Sequence, residues 1–149
     1  MRWFIVIALM FVSGVSQVEA AKARITKVLP HLLDDKGRHS LSPSLYERDA
    51  YQAHLRKNPE LAAALRFDIR WTGINLKRDS LKLRIELRVS GEPNKIVIEE
   101  AIKPLGVSGS WSQLTLKGEE FKKAGKLISW RATLLENEKE VAELKSFLW

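Results

Sequence analysis

The sequence predicts a mainly β fold: an antiparallel sandwich of about seven strands with a short helical insertion after the first strand. Two alternations and a rhythm of turns carry this expectation. Leu81, Leu83, Ile85, Leu87 and Val89 alternate with Lys82, Arg84, Glu86, Arg88 and Ser90, in strict period two. Leu65, Phe67, Ile69 and Trp71 alternate in the same way with Arg66, Asp68, Arg70 and Thr72. Turn-forming clusters recur at roughly ten-residue spacing through the second half of the chain. Such alternation describes strands that bury one face and wet the other, as antiparallel sheets commonly do. A parallel α/β sheet would need continuous apolar strands separated by helices, and the pattern offers neither.

Residues 1–20 stand outside this pattern. Met1 and Arg2 give a positive start, residues 3–12 are apolar, and a small polar stretch closes on Val18-Glu19-Ala20. That order describes a cleavable secretory signal with its cut between Ala20 and Ala21. Its apolar run falls short of the roughly 20 residues a spanning helix needs, and charge interrupts every later run. The expected product is a single domain, residues 21–149, exported to a periplasm or cell surface. Arg2 and Glu19 leave together, so the processed chain keeps the net charge of +7. The chain has no cysteine. This excludes disulfides, thiol chemistry, Cys-ligated metals and a cysteine-borne lipid anchor, and it leaves stability to the core. Cysteine-free export is more typical of a bacterial envelope than of an animal secretory route.

The first part of the processed chain opens with an extended stretch, residues 23–29, in which Ile25 and Leu29 face one side. Asp34-Asp35-Lys36-Gly37 is turn chemistry, since glycine reaches positive φ without steric cost. Residues 38–41 are expected to return as a short strand. Ser42-Pro43-Ser44 announces a helix, with Ser44 and Glu47 spaced as a capping box and Arg56 and Lys57 suited to its C-terminal dipole. Its amphipathicity is weak: Tyr46, Ala50 and Ala53 form one narrow stripe, Leu45, Tyr51 and Leu55 another. Asn58-Pro59 ends it and opens a second short helix over residues 60–65, so the helical insert covers about residues 43–65.

The remaining strands are expected at residues 65–72, 81–90, 95–102, 112–116, near Ile128-to-Leu134, and at 140–149. Gly91-Glu92-Pro93-Asn94 and Glu136-Asn137-Glu138-Lys139 are turns. Leu114 and Leu116 point inward in the fourth of these strands, and Ile128, Trp130, Ala132 and Leu134 in the fifth. In the last, either Ala142, Leu144 and Leu148 or Phe147 and Trp149 point inward, and that conflict predicts a bulge.

The stretch Gly125-Lys126-Leu127-Ile128-Ser129-Trp130-Arg131-Ala132-Thr133-Leu134, a polar turn, then Val141-Ala142-Glu143-Leu144-Lys145-Ser146-Phe147 resembles the closing hairpin of immunoglobulin-like and fibronectin type III-like modules of bacterial envelope proteins. The resemblance covers the strand-rich second part and the first strand. It departs from antibody domains in lacking paired cysteines, and it has no tyrosine corner, since Leu127, Ile128 and Ser129 precede Trp130. It implies an immunoglobulin-like sandwich of the kind that binds, spaces or scaffolds.

Residues with chemical potential are few. His31, Asp34, Asp35 and His39 lie close in sequence, and His31, Asp34 and His39 form a candidate metal set. Gly106-Val107-Ser108-Gly109-Ser110 has the wrong spacing for a nucleophile elbow and reads as an inter-strand loop. Glu99-Glu100 and Glu119-Glu120 are adjacent residues, which on a strand face opposite ways. His54 reads as a solvated helix residue. The basic residues are a further signal: Arg66 and Arg70 project from one strand and Lys82, Arg84 and Arg88 from another, so that five cations line one outer surface if those strands share a sheet, or fall on opposite sheets in an immunoglobulin-like topology. Asp68 and Glu86 sit among them, so cross-strand ion pairs are the plain alternative. Trp111 precedes a strand in a glycine-serine loop, outside the inward parity of Leu114 and Leu116, and is either a candidate interface anchor or a loop tryptophan that caps one end of the core.

The expectation is therefore a non-catalytic binding or structural module without a cofactor. It would meet a protein or envelope component through Trp111, Arg66, Arg70, Arg84 or Arg88. A small hydrolytic or metal-dependent enzyme built on His31, Asp34 and His39 is one alternative, and a binder of an anionic envelope polymer is another. Nucleic acid is disfavoured, because Phe67 and Trp71 occupy the buried parity rather than interleaving with the cations.

Overall fold

A computed structural model describes residues 22–103 and 109–149. The signal-like residues 1–20, the Ala20–Ala21 cut, and all but Gly109 and Ser110 of the glycine-serine stretch lie outside the described residues. Among the described residues seven strands form: β1 (Lys22–Asp34), β2 (Ala62–Ile74), β3 (Leu81–Val89), β4 (Ile96–Ala101), β5 (Ser110–Lys117), β6 (Leu127–Glu136) and β7 (Lys139–Lys145). Helix α1 (Leu45–Lys57) follows β1, and helix α2 (Gly118–Ala124) joins β5 to β6. One sheet has the order β1-β2-β5 and the other β4-β3-β6-β7, with every pairing antiparallel. The chain is thus the mainly β sandwich that the alternation predicts, with its helical insertion after the first strand. No helix among the described residues is long and apolar enough to cross a membrane.

The period-two residues of both marker strands enter one core. Leu65, Phe67, Ile69 and Trp71 from β2 join Leu81, Leu83, Ile85, Leu87 and Val89 from β3, with Leu114, Leu116, Ala132 and Leu134 between them. Burying each large side chain contributes about 1.5–3 kcal/mol. Trp71 also satisfies its one polar atom, donating from Nε1 to Ser112 Oγ at 3.0 Å.

Several elements depart from expectation for identifiable reasons. Residues 38–41 form no strand. Asp34 takes the backbone N–H groups of Lys36 and Arg38, and Ser40 and Ser42 bond one another, so the segment satisfies its donors locally. The second helix shrinks to a single 3₁₀ turn, Pro59–Leu61, because residues from Ala62 onward already pair with β1. Helix α2 was not anticipated, although Glu119 and Glu120 open it, Lys122 and Lys123 close it, and Gly125 at φ 69° stops it. Ile128 is exposed rather than inward. The register slips opposite the Arg88–Val89 step, so Leu127 takes the place against Val89. The last strand ends at Lys145. A bulge is present in it, but at Val141, between the Leu134–Ala142 and Leu135–Glu140 pairs. Beyond it Phe147 and Leu148 are exposed, and the Trp149 ring lies 4.4 Å from the Arg88 guanidinium carbon and 5.4 Å from Lys95 Nζ.

The hairpin between β6 and β7 turns on two residues, Asn137 and Glu138, at φ 49° and 64°. Positive φ at both central positions matches the twist of the flanking strands. β1 is an edge strand of 13 residues. Its ladder slips at Thr26, between Ile25 and Lys27, and Pro30 brings no N–H.

Candidate functional site

Helix α1 and the loop before it shelter the upper part of the outer face of the β1-β2-β5 sheet. Ser44 starts the helix, its Oγ accepting from Glu47 N. The buried face of α1 is narrow and mixed: Leu55, fully buried, and Gln52. Leu45 and Tyr46, each placed in one of the expected stripes, are exposed instead. Gln52 explains the discrepancy. Its Oε1 accepts from Leu32 N at 2.8 Å, and its Nε2 donates to Leu32 O at 2.9 Å and His39 O at 2.8 Å. A side-chain amide thus takes the role of a neighbouring strand at the β1 edge, which makes a buried glutamine favourable there.

Beneath this cover lies a polar network. Asp34 accepts from Lys36 N, Arg38 N, Arg38 Nε and Tyr51 Oη, all at 2.7–3.0 Å. Burial alone would raise its carboxyl, but these hydrogen bonds outweigh burial and bring its pKa down to about 2. Asp68 accepts from His31 Nδ1 at 2.9 Å, Arg66 at 3.0 Å and Gln113 Nε2 at 2.8 Å. Here too burial opposes ionisation, and the bonds from His31, Arg66 and Gln113 with the Arg66 charge hold the carboxyl below its ordinary range. The His31 and His39 rings approach to 4.9 Å between centroids. Arg66, which can only donate, gives a hydrogen bond to His39 Nδ1 at 3.2 Å. His31 therefore carries its proton on Nδ1 and His39 on Nε2. Burial, then the Arg66 and His31 charges, push the His39 pKa down.

The structure brings His31 and His39 together but turns Asp34 toward Arg38 and Tyr51. Both Asp34 oxygens and the His39 Nδ1 lone pair are occupied. Among the described residues, no three His, Cys, Asp or Glu side chains are placed to hold a metal ion. His54 is exposed and bonded to Asn58. Glu99 pairs with Arg84 and Glu119 with Lys122. Of the glycine-serine stretch, Gly109 (φ 100°) and the buried Ser110 are described.

The candidate cations divide between the two sheets. Arg84 and Arg88 project from the outer face of the β4-β3-β6-β7 sheet, where Arg84 meets Glu99 and Arg88 meets Trp149. Glu86 on the same face takes Lys95 and Arg131, and Arg131 also reaches Glu140 and Glu143. This surface is a woven set of ion pairs. Arg66 and Arg70 project from the other sheet. Arg66 is committed to Asp68 and His39. Arg70 has no ion pair or side-chain hydrogen bond among the described residues.

Arg70 sits at the centre of the uncovered half of its face. In register it stands opposite Lys27 on β1 and Trp111 on β5. Trp111 is 47% exposed and lies on the outward parity, while Leu114 and Leu116 of the same strand are buried. Arg24, opposite Thr72, continues the row of cations along β1. Lys27 and Arg24 were not singled out from sequence, because β1 shows no clean alternation across its slip at Thr26. Gln52, Tyr51, Asp68 and Gln113 were missed as a network because their contacts join segments far apart in the chain. Compared with known proteins, the chain matches no family model, no curated protein and no solved structure.

Proposed function

We propose that this chain is a non-catalytic binding module, exported to a bacterial periplasm or cell surface, which meets its partner through the open half of the β1-β2-β5 sheet. The observation that carries the reading is the Lys27–Arg70–Trp111 row, in which an exposed indole and two cations without an ion pair among the described residues share one face. Exposed tryptophan and arginine are the residue types that most often anchor interfaces. Export rests on the signal-like residues 1–20 and the absence of cysteine. Strand order supports immunoglobulin-like kinship. The first, second and fifth strands form one layer, and the third, sixth and seventh the other, with the fourth at the edge of the third.

The alternative, a small hydrolytic or metal-dependent enzyme, draws on the approach of His31 to His39. It is the weaker reading because reaction or metal binding would first have to dismantle the Asp68–Arg66–His39 network. The test is retention of the processed chain, residues 21–149, on native envelope material. The Arg70→Ala/Trp111→Ala variant should lose retention, and Arg84→Ala/Arg88→Ala should keep it. Equal retention of both variants, or a zinc-dependent hydrolysis abolished by His31→Ala, would overturn the proposal.

A further inference from the structure

We infer that the ligand of this face is an anionic glycan, a chain of pyranose rings bearing carboxylate or sulfate groups; the inference rests on the binding-module reading above. Strands lie about 4.8 Å apart, so Lys27, Arg70 and Trp111 span about 10 Å across the sheet, close to the length of a disaccharide. Trp111 offers a flat apolar surface for the C–H face of a sugar ring. One strand away, the Arg70 guanidinium is a planar fork suited to carboxylate or sulfate. Lys27 supplies a point charge one strand further, and Arg24 extends the cationic line along β1.

Charge complementarity sets the sign of the ligand. Among the described residues the acids of this outer face are Asp34, beneath the α1 cover and bonded there to Arg38 and Tyr51, and Asp68. Asp68 Oδ2 is held by His31 and Arg66 and its Oδ1 by Gln113. Among the described residues no carboxylate pairs with Lys27, Arg70 or Arg24, whereas on the opposite sheet Arg84 and Arg131 are matched to carboxylates. The single exposed indole argues against a nucleic-acid strand, which stacks successive bases on several aromatics. Thr72, Gln113 and Thr115 surround Trp111 and Arg70, and the exposed Leu29 and Ile74 are separate apolar side chains at the margins of the face rather than the broad apolar face that enters a lipid interface.

The test is titration of the processed chain, followed by calorimetry, with a short heparin-derived oligosaccharide, an oligogalacturonate and a neutral malto-oligosaccharide. An oligo-dT strand and phosphatidylglycerol vesicles serve as competing probes. Binding is expected to the two anionic glycans and not to the neutral one, weakening as salt rises. Trp111→Ala should weaken it about tenfold, a loss of about 1.4 kcal/mol. Arg70→Gln, which retains most of the side-chain volume, should weaken it several-fold and flatten its salt dependence. Arg84→Ala should leave it unchanged. Binding indifferent to both Trp111→Ala and Arg70→Gln, tighter binding to oligo-dT or vesicles, or no binding to either anionic glycan at low salt would each overturn the inference. Envelope retention then separates the two levels. Retention lost in Arg70→Ala/Trp111→Ala keeps the binding module with a different ligand, and retention unchanged removes both.

Discussion

Replacing Asp34 with asparagine should destabilise the fold at neutral pH and much less in acid. The carboxylate receives four donors, two from backbone and two from Arg38 and Tyr51 side chains. Asparagine keeps one oxygen for Lys36 N and Arg38 N but turns an amide toward Arg38 Nε, which cannot accept. The magnitude follows from linkage. A carboxyl at 3.8 in the unfolded chain and about 2 in the fold favours folding by roughly 2 kcal/mol at neutral pH. Arg38 stands half in solvent, so a discounted figure of about 1–2 kcal/mol is the better expectation. The sign is fixed by the lowered pKa: the contribution is complete above the unfolded value and disappears as pH falls through the folded one. Urea unfolding, followed by tryptophan fluorescence, measures it. Asp34→Asn should trail the native chain by about 1–2 kcal/mol at pH 7, with the gap closing to a small fraction near pH 2. Asp68 and Glu86 also have lowered carboxyls and will weaken both proteins in acid, but they cancel in the difference. Tyr51→Phe should shift stability the same way by less. A gap that stays constant from pH 7 to pH 2 would refute the electrostatic origin of this corner.

Three further outcomes follow from the geometry. Gly91→Ala should cost about 3 kcal/mol, because a Cβ there would lie 2.0 Å from Lys123 O, and a thermal melt close to native would show that the β3 end and α2 have room to part. Leu55→Ala should cost about 2–4 kcal/mol and speed hydrogen exchange at Leu32 N, since Leu55 holds the helix that carries Gln52; exchange unchanged at Leu32 would mean that Gln52 stays in place without it. His39→Asn should reduce the loss of stability as pH falls from 7 to 5. The fold takes up the His39 proton less readily than the unfolded chain, whereas asparagine offers Arg66 an acceptor that never protonates; parallel pH profiles in urea unfolding would contradict this.

What could be read from the sequence was what depends on neighbours in sequence. β2 and β3 were legible because each buries one face for its whole length, and the Ser44 cap and the Glu136-to-Lys139 turn are local chemistry. Parity also placed Trp111, Arg66, Arg70, Arg84 and Arg88 on outward faces. It did not say which outward face, since that is decided by strand order, and the order divides them between two sheets. Ile128 was misplaced because one slipped residue reverses the alternation. The face of α1 was illegible because Gln52 is buried to complete a backbone ladder, a demand that a hydrophobic pattern does not register. The contact of His31 with Asp68 needs two segments 37 residues apart to meet in one register. α2 was the avoidable omission, for its charges and terminal glycine follow ordinary rules.

The interruptions in β1 have a consequence for how copies of the protein behave toward one another. A long open strand margin is a template on which identical chains can stack into fibrils. Here a missing donor at Pro30, a slipped residue at Thr26 and the Gln52 amide over Leu32 break that margin into pieces too short to propagate, and the cationic side chains of Arg24 and Lys27 repel an identical neighbour. At high concentration the molecule should therefore resist polymerising through this margin, even though no disulfide fixes its layers.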